Sequence, residues 1–294
     1  MSGAPAILRR ALAPLGFALL GVLGAACTAI RPTTEATVPA APPFSHADLD
    51  RVLERFVDER GRVDYAGLQR DPSDVERYYA ALAVVSPDSD PALFPTRDER
   101  LAYWINAYNG AVLTVVLRYY PIRSVTDVPT PFPLSLASDK IGFFYLQRIT
   151  LGGDTTSLYT VENSVVRARF DEPRVHFALN CASGGCPRLP RRAFSPAELD
   201  RQLDDEARRF FAEERNLRFD HDARVVHLSS ILDWYADDFT GWYEQQHPRS
   251  DATLLDYVAL YVAPERRGEI DRARRYEVRF VPYDWALNAQ ARAD

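Results

Sequence analysis

The chain has 294 residues, 47% of them hydrophobic and 12% aromatic, which is enough apolar material for a packed core. Its 35 Lys and Arg residues stand against 41 Asp and Glu residues, a formal net charge of -6, and no long block carries a single sign. Polyanions are held by concentrated positive charge, so we expect a globular protein that does not bind nucleic acid.

The first 27 residues have the pattern of a bacterial secretion signal. Two arginines precede an apolar run over residues 11–26 that is too short to span a bilayer comfortably. The run ends in small residues before Cys27, as in the lipobox of bacterial lipoproteins, although the leucine of that pattern stands one place too early. The alternative is ordinary signal cleavage near Ala26 or Ala29.

Lipidation of Cys27 would make the membrane a partner through the lipid anchor alone, at the periplasmic face of the cell envelope. Residues 28–43 are rich in Pro, Thr and Ala, a composition that predicts an extended tether. Residues 44–290 show neither a repeat nor a linker, so we predict a single globular domain over this range.

Helical periodicity dominates the first half of this domain. Ser45 can cap a first helix, and a second helical pattern covers residues 74–85. The clearest helix covers residues 97–120, where apolar residues recur at spacings of three and four until Pro121 ends the pattern. Residues 141–153 have the β-branched and aromatic content of a strand or hairpin, which ends at two glycines.

The second half mixes predicted helices with short strands. Residues 158–169 are predicted to form a helix, and residues 174–180 are considered as a strand. A helix over residues 194–214 carries the capping box Ser195 to Glu198. The remaining predicted elements are a hairpin at 216–228, a helix at 230–239, two helices within 252–274 and a strand at 276–285. Together they predict a mainly helical α+β domain with a small antiparallel β component.

Three polar residues interrupt the apolar faces of these helices. Asn106 and Asn109 share one face of the 97–120 helix, where their amides form either an internal network that holds a loop or the floor of a ligand cleft. Glu162 falls on the apolar stripe of its helix, either as the partner of an arginine or as a general acid or base. Because buried polar residues need one another, we predict that one cluster joins Asn106, Asn109, Glu162, Arg174 and His176.

The stretch "RVHFALNCASGGCPRLP", residues 174–190, holds the densest group of reactive side chains. Cys181 or Cys186 as nucleophile, His176 or His227 as base and an asparagine or Glu162 as the residue that orients the base would meet the needs of cysteine-based acyl transfer. Two adjacent glycines free the backbone to aim successive N–H groups at an anion. The candidate catalytic residues are therefore Cys181, His176 and Glu162, and the candidate cleft residues are Asn106, Asn109, Arg174, Asn180, Ser183, Gly184 and Gly185.

The two cysteines of this stretch support a second interpretation. Once Cys27 is lipidated or removed, Cys181 and Cys186 remain as an even pair in an oxidising compartment. A disulfide between them would rigidify the loop and block both thiols. A metal site is poorly supported, because the sequence has neither a CxxC pair nor HxxxH spacing, and we expect neither a metal nor a cofactor.

Five sequence blocks follow one another along the chain: "YWINAYNGAVL", "LGGDTTSLYTVENSVVR", "DEPRVHFALNCASGGCPRLP", "ILDWYADDF" and "PYDWALN". In this order they resemble the domain-of-unknown-function 547 family, which occurs in many exported bacterial proteins, over most of residues 45–288. The resemblance implies a domain boundary and a shared central constellation. It implies no activity, cofactor or substrate.

Two functions of different classes therefore stay open. One is a cell-envelope domain whose polar cleft around the Cys181–Cys186 loop binds a small molecule, a peptide or an envelope protein, with the disulfide as a staple. The other is a cysteine-dependent hydrolase or acyl or amide transferase acting on a peptide-like or cell-wall substrate. The state of the cysteines separates the two, because a bonded pair supplies no nucleophilic thiolate.

Overall fold

The computed structural model of the protein describes residues 29–36, 43–248 and 251–291. The predicted signal segment and Cys27 lie outside these ranges. The fold is a mainly helical α+β domain, as predicted, with two small sheets in the described part of the chain. Its buried hydrophobic residues form two clusters that meet at residues 175–178.

Helices supply most of the packing surface. They are α1 (Ala47–Phe56), α2 (Tyr65–Arg70), α3 (Ser73–Val84), α4 (Arg97–Tyr119), α5 (Ile141–Phe144), α6 (Leu158–Thr160), α7 (Leu199–Ala212), α8 (Ser230–Trp234), α9 (Ala236–Gln246), α10 (Leu254–Val258) and α11 (Arg267–Ala273). Short 3-10 turns lie at Pro91–Leu93, Val125–Asp127, Leu134–Leu136, Pro173–Phe177, Pro196–Glu198 and Pro264–Arg266. In the described ranges, none of the helices combines the length and apolar character needed to cross a bilayer.

The longest helix, α4, forms the centre of the first cluster. It begins with a capping box, in which Thr96 and Glu99 exchange side-chain and backbone hydrogen bonds. Most of its residues are buried, the two asparagines included, because neighbouring elements cover it on several sides. Gly110 allows α3 to approach closely, since a Cβ there would lie 2.7 Å from the ring of Tyr78.

The strands form two separate sheets. β1 (Ile149–Leu151) and β2 (Asp154–Thr156) are an antiparallel hairpin. Gly152 and Gly153 make its turn at positive φ. The second sheet has the order β3 (Leu217–Asp220), β4 (Val225–Ser229), β5 (Glu277–Val281), in which β3 and β4 are antiparallel and β4 and β5 parallel.

Helical turns replace several of the predicted elements. The predicted helix at 158–169 is one turn of α-helix followed by a π-helix, Val161–Arg167. The stretch considered as a strand, 174–180, begins as a 3-10 turn, because Glu172 caps it and Pro173 fixes its first φ angle. Hydrogen bonds within a single turn therefore take the place of strand pairing.

Two further predictions were wrong in their boundaries. α7 begins at Leu199, and Ser195 donates its backbone N–H to Gln202 instead of capping the helix. The first third of the predicted 141–153 strand is α5, so that only its last residues enter the hairpin. Apolar runs of this length fit a buried helix as well as a strand, and burial by neighbouring elements decides between the two.

Both ends of the described chain are fastened to the domain. In the segment predicted as a tether, Ile30 is buried, donates its N–H to the Arg148 carbonyl at 2.7 Å and accepts a hydrogen bond from the Tyr79 hydroxyl at 2.8 Å. Residues 282–291, which we call the C-terminal strap, form isolated bridges to other loops. The bridged pairs are Val63 with Ala289, Ser124 with Ala286 and Ser183 with Leu287.

Candidate functional site

A cleft of about 850 Å³ opens beside the π-helix and the Cys181–Cys186 loop. Its walls are mainly aromatic and aliphatic rather than polar, and we call it the aromatic cleft. Its aromatic lining comes from Tyr108, Phe144, Tyr145, Tyr159, Trp234, Tyr235, Tyr283 and Trp285, and its ionisable lining includes Lys140, Glu162, Arg167 and His176.

Glu162 presents a carboxylate to this aromatic cleft. One of its oxygens accepts a hydrogen bond from the Tyr108 hydroxyl at 3.1 Å and the other from the Tyr235 hydroxyl at 2.5 Å. Burial and the negative charge of Glu162 raise the pKa of both tyrosines, so the two hydroxyls stay protonated and keep donating. Within the described residues, tyrosine hydroxyls hold the carboxylate and no cation forms a salt bridge with it.

The π-helix explains why Glu162 and Arg167 line the same cleft. In an α-helix, at 3.6 residues per turn, side chains five positions apart point about 140° away from each other. A π-helix bonds residue i to residue i+5, which brings such side chains to one side. Asn163, four residues before Arg167, accepts a hydrogen bond from the Arg167 guanidinium with its amide oxygen at 2.6 Å.

His176 and Arg167 converge on Asp238, at the start of α9. His176 Nε2 lies 2.7 Å from Asp238 Oδ2, and Arg167 donates to both carboxylate oxygens at 2.7 and 2.9 Å. Burial alone would raise the pKa of Asp238, but the hydrogen bonds from His176 and Arg167 outweigh it and hold that pKa well below its usual value. Tyr235 stacks on the His176 ring with centroids 3.9 Å apart and lies 4.7 Å from the Arg167 guanidinium.

Cys181 and Cys186 lie at disulfide distance, with their Cα atoms 6.2 Å apart. Both sulfur atoms contact the hydroxyl of Tyr283, on the C-terminal strap, at 3.2 Å. Ser183 also reaches this hydroxyl, at 2.8 Å. A bonded pair at this place offers no free thiolate to the aromatic cleft.

The two asparagines of α4 hold neighbouring loops. Asn106 pairs both of its amide groups with the backbone of Phe194, at 2.8 and 2.9 Å. Asn109 does the same with the carbonyl of Ala178 and the N–H of Asn180, at 3.0 and 2.9 Å. Asn106 and Asn109 were predicted either to hold a loop or to form the floor of a ligand cleft, and both sets of contacts match the first role.

Asn180 is itself a hub of buried hydrogen bonds. Its side chain donates to the Pro187 carbonyl at 2.7 Å and accepts from the Ala182 N–H and from Asn288, at 2.9 and 3.2 Å. Asn288 in turn accepts from the hydroxyl of Tyr65 at 2.7 Å. These contacts fix the Cys181–Cys186 loop to α2 and to the C-terminal strap.

The backbone N–H groups of the loop glycines were predicted to be available to an anion, but they contact the C-terminal strap. The N–H groups of Gly184 and Gly185 donate to the carbonyls of Ala286 and Asp284, at 2.7 and 2.8 Å. A Cβ at Gly185 would lie 2.8 Å from the ring of Tyr283, and one at Gly184 would collide with the Asp284 carboxylate. Close packing of two chain segments therefore accounts for the Gly-Gly pair.

The five polar residues predicted to converge do not form one cluster. Glu162 and His176 line the aromatic cleft, whereas Asn106 and Asn109 bond to loops. Arg174 pairs with Glu172 at 2.7 Å and with Asp200 and Asp204 of α7. The prediction was wrong because these residues find separate partners: loop backbone for the asparagines, tyrosine hydroxyls for Glu162, and acidic side chains for Arg174 and His176.

Several residues of the site were not predicted from the sequence. The lining residues Tyr235 and Trp234, and Asp238, which binds His176 and Arg167, belong to the block "ILDWYADDF". The lining residues Tyr283 and Trp285 belong to the block "PYDWALN". Both blocks contributed to the predicted secondary structure and to the family resemblance, but to no predicted site. Their density of aromatic residues close to carboxylates was the available signal.

Within residues 29–36, 43–248 and 251–291, no group of three or more His, Cys, Asp or Glu side chains could hold a metal ion. A search of the curated proteins and a search of the solved structures each found no match to this chain. A family model described as "Protein of unknown function, DUF547" matches residues 93–211, a segment that includes α4, the π-helix, the Cys181–Cys186 loop and most of α7. Over these residues the chain is similar to that family.

Proposed function

We propose that this protein is a cell-envelope domain whose aromatic cleft binds a small organic ammonium ligand with an apolar body. The observation that carries the proposal is the Glu162 carboxylate, which faces an aromatic cleft and has only tyrosine hydroxyls as partners within the described residues. An ammonium group would complete this site with a charge-assisted hydrogen bond. The surrounding rings would add cation–π attraction.

The other charged side chains of the aromatic cleft already have partners, so Glu162 is the charged group available to an ammonium ligand. Arg167 and His176 are both bound to Asp238, so their partner is already supplied. Lys140 lies over the ring of Trp285, at 4.5 Å, and 3.8 Å from Asp139. The volume of about 850 Å³ falls within the range of small-molecule sites, which are mostly apolar with a few polar groups that orient the ligand.

The test compares three probes that share one apolar body: 4-phenylbutylammonium, the neutral 4-phenylbutanol and the anionic 4-phenylbutyrate. Binding is followed by the fluorescence of Trp234 and Trp285, which line the aromatic cleft. We expect the ammonium to bind about tenfold or more tightly than the alcohol, since a charge-assisted hydrogen bond contributes about 1.5–3 kcal/mol. The carboxylate should bind most weakly.

Glu162→Gln should remove the preference for the ammonium over the alcohol while the alcohol binds as before. The control is Glu214→Gln, which neutralises an exposed glutamate outside the lining of the aromatic cleft. Equal binding of ammonium and alcohol to the unchanged protein would refute the proposal.

The geometry of the cysteines favours binding over cysteine catalysis. In the exported protein we expect Cys181 and Cys186 to react with a thiol reagent only after reduction, because a disulfide blocks both sulfur atoms. Thiol titration before and after reduction measures this directly. One thiol that reacts rapidly at neutral pH without reduction would instead support the hydrolase or transferase alternative.

A further inference from the structure

Exposed apolar side chains lie at the mouth of the aromatic cleft and on the loop beside it. Leu134, Tyr145, Tyr159 and Trp234 line the cleft, and Phe132 and Leu136 stand two residues before and after Leu134 in the chain. We call this group the apolar rim and define it by Phe132, Leu134, Leu136, Tyr145, Tyr159 and Trp234, whose exposed fractions are 80%, 44%, 77%, 44%, 40% and 47%. Among the described residues these are six of the nine large hydrophobic side chains with such exposure. Single exposed hydrophobic residues are ordinary, but a contiguous group marks an interaction surface.

The chemistry of the apolar rim suits a lipid surface. Residues 128–138, the loop that carries Phe132 and Leu136, contain no charged side chain, so its insertion into lipid would desolvate no ion. Trp and Tyr side chains favour the boundary between lipid and water, because each has an apolar ring and a polar group. Tyr145 and Tyr159 stack with ring centroids 4.1 Å apart and form one side of the mouth.

The N-terminal segment is bound to the domain at a residue that is close in sequence to the apolar rim. Ile30 is bonded to the carbonyl of Arg148, three residues after Tyr145 of the apolar rim. From Ile30 back to Cys27 the chain has three residues, which span at most about 11 Å. The segment predicted as a free tether of 16 residues is thus fastened to the domain almost at its start. An acyl chain on Cys27 would therefore hold the domain close to the bilayer, with little slack.

We infer that the apolar rim docks on the surface of a lipid bilayer, with Phe132 and Leu136 in the interfacial layer and the mouth of the aromatic cleft facing the lipid. The inference rests on the envelope location given under the proposed function. In this orientation an amphipathic ammonium ligand would enter the aromatic cleft from the bilayer with its apolar body still shielded from water.

The test uses the Cys27→Ser chain, after its intact mass has shown that the signal segment is removed, so that no acyl anchor contributes. It is sedimented with vesicles of phosphatidylcholine, a lipid without net charge. We expect it to bind, and we expect Phe132→Ser combined with Leu136→Ser to weaken the partitioning at least tenfold. The matched control combines Val84→Ser and Phe280→Ser, two exposed hydrophobic residues outside the apolar rim, and should bind as the parent does.

Failure to bind vesicles, or equal binding by the apolar rim variant and its parent, would overturn the inference. So would a dimer in sedimentation velocity that the apolar rim substitutions dissociate without any binding to lipid, because a second copy of the chain would then be the partner. Titration with 4-phenylbutylammonium in the absence of vesicles keeps the two proposals apart. The apolar rim variant should retain the ammonium preference, and Glu162→Gln should lose that preference but still bind vesicles.

Discussion

At the scale of single residues, Asp238 organises the polar side of the aromatic cleft. It receives His176 and two nitrogens of Arg167, and so keeps the Arg167 guanidinium away from the Glu162 carboxylate. If Asp238 lost its charge, Arg167, which lines the same cleft as Glu162, would be free to turn toward this carboxylate. The proposed preference for an ammonium ligand therefore depends on two carboxylates, one that binds the ligand and one that occupies the arginine.

Asp238→Asn should lower the free energy of unfolding by about 1–3 kcal/mol, because it leaves two buried or half-buried donors poorly matched. It should also weaken binding of 4-phenylbutylammonium relative to 4-phenylbutanol. Chemical denaturation and the fluorescence titration measure the two effects. Asp237→Asn, on the exposed face of the same helix turn, is the control and should change neither.

At the scale of elements, α4 organises the loops as well as the core. Its two buried asparagines each pair a donor and an acceptor with loop backbone, in the way that a neighbouring strand would. Through Asn109 the helix fixes Asn180, and through Asn180 it fixes the Cys181–Cys186 loop. The position of the loop at the aromatic cleft thus depends on a helix that itself reaches the lining through Tyr108.

Replacing Asn109 by Ala should therefore cost more than an ordinary helix substitution. Alanine favours the helix, but the change leaves the buried Ala178 carbonyl and Asn180 N–H without hydrogen-bond partners. We expect the free energy of unfolding to fall by about 2–4 kcal/mol. Denaturant unfolding measures it. Asn163→Ala, at a half-buried position of the π-helix, should cost less than 1.5 kcal/mol by the same principle. Similar losses for the two variants would contradict the role given to Asn109.

At the scale of the whole molecule, both ends of the described chain close the structure. Ile30 belongs to the first hydrophobic cluster. The C-terminal strap forms bridges to Val63 just before α2, to Ser124 and to Ser183 of the Cys181–Cys186 loop. Near the N-terminal end, the ring of His46 packs against Phe44, Tyr78 and Tyr103. Burial lowers the pKa of His46 to about 3, so the folded protein holds the ring neutral.

This histidine predicts how the stability depends on pH. Below pH 6.5, the ordinary pKa of histidine, the unfolded chain binds a proton at His46 that the folded protein does not bind. The free energy of unfolding is therefore highest above pH 6.5 and falls as the pH decreases toward 3. We expect a loss of up to about 1.4 kcal/mol per pH unit from this group. The measurement is the free energy of unfolding between pH 7 and 5 for the parent and for His46→Gln. Parallel pH profiles would show that His46 has no part in it.

The sequence by itself determined the features that depend on residues close together in the chain. Spacing of apolar residues predicted α4 and the β3–β4 hairpin. Two glycines marked the end of the predicted strand or hairpin at 141–153, where the turn between β1 and β2 lies. The number and separation of Cys181 and Cys186 made a disulfide one of two interpretations, and the two residues lie at disulfide distance. Glu162 and His176 were singled out because a polar residue in an apolar pattern is visible without any knowledge of the fold.

Only the tertiary structure decided which partners those residues have. Glu162 was predicted to be either the partner of an arginine or a general acid or base. It is held by Tyr108 and Tyr235, which are 54 and 73 residues away in the chain. The π-helix brings Arg167 to the same side as Glu162, where Arg167 forms a salt bridge with Asp238 instead. No periodicity encodes such contacts, because the packing of distant elements decides which hydrogen-bond partners meet. The same packing decided that Ile30 is buried.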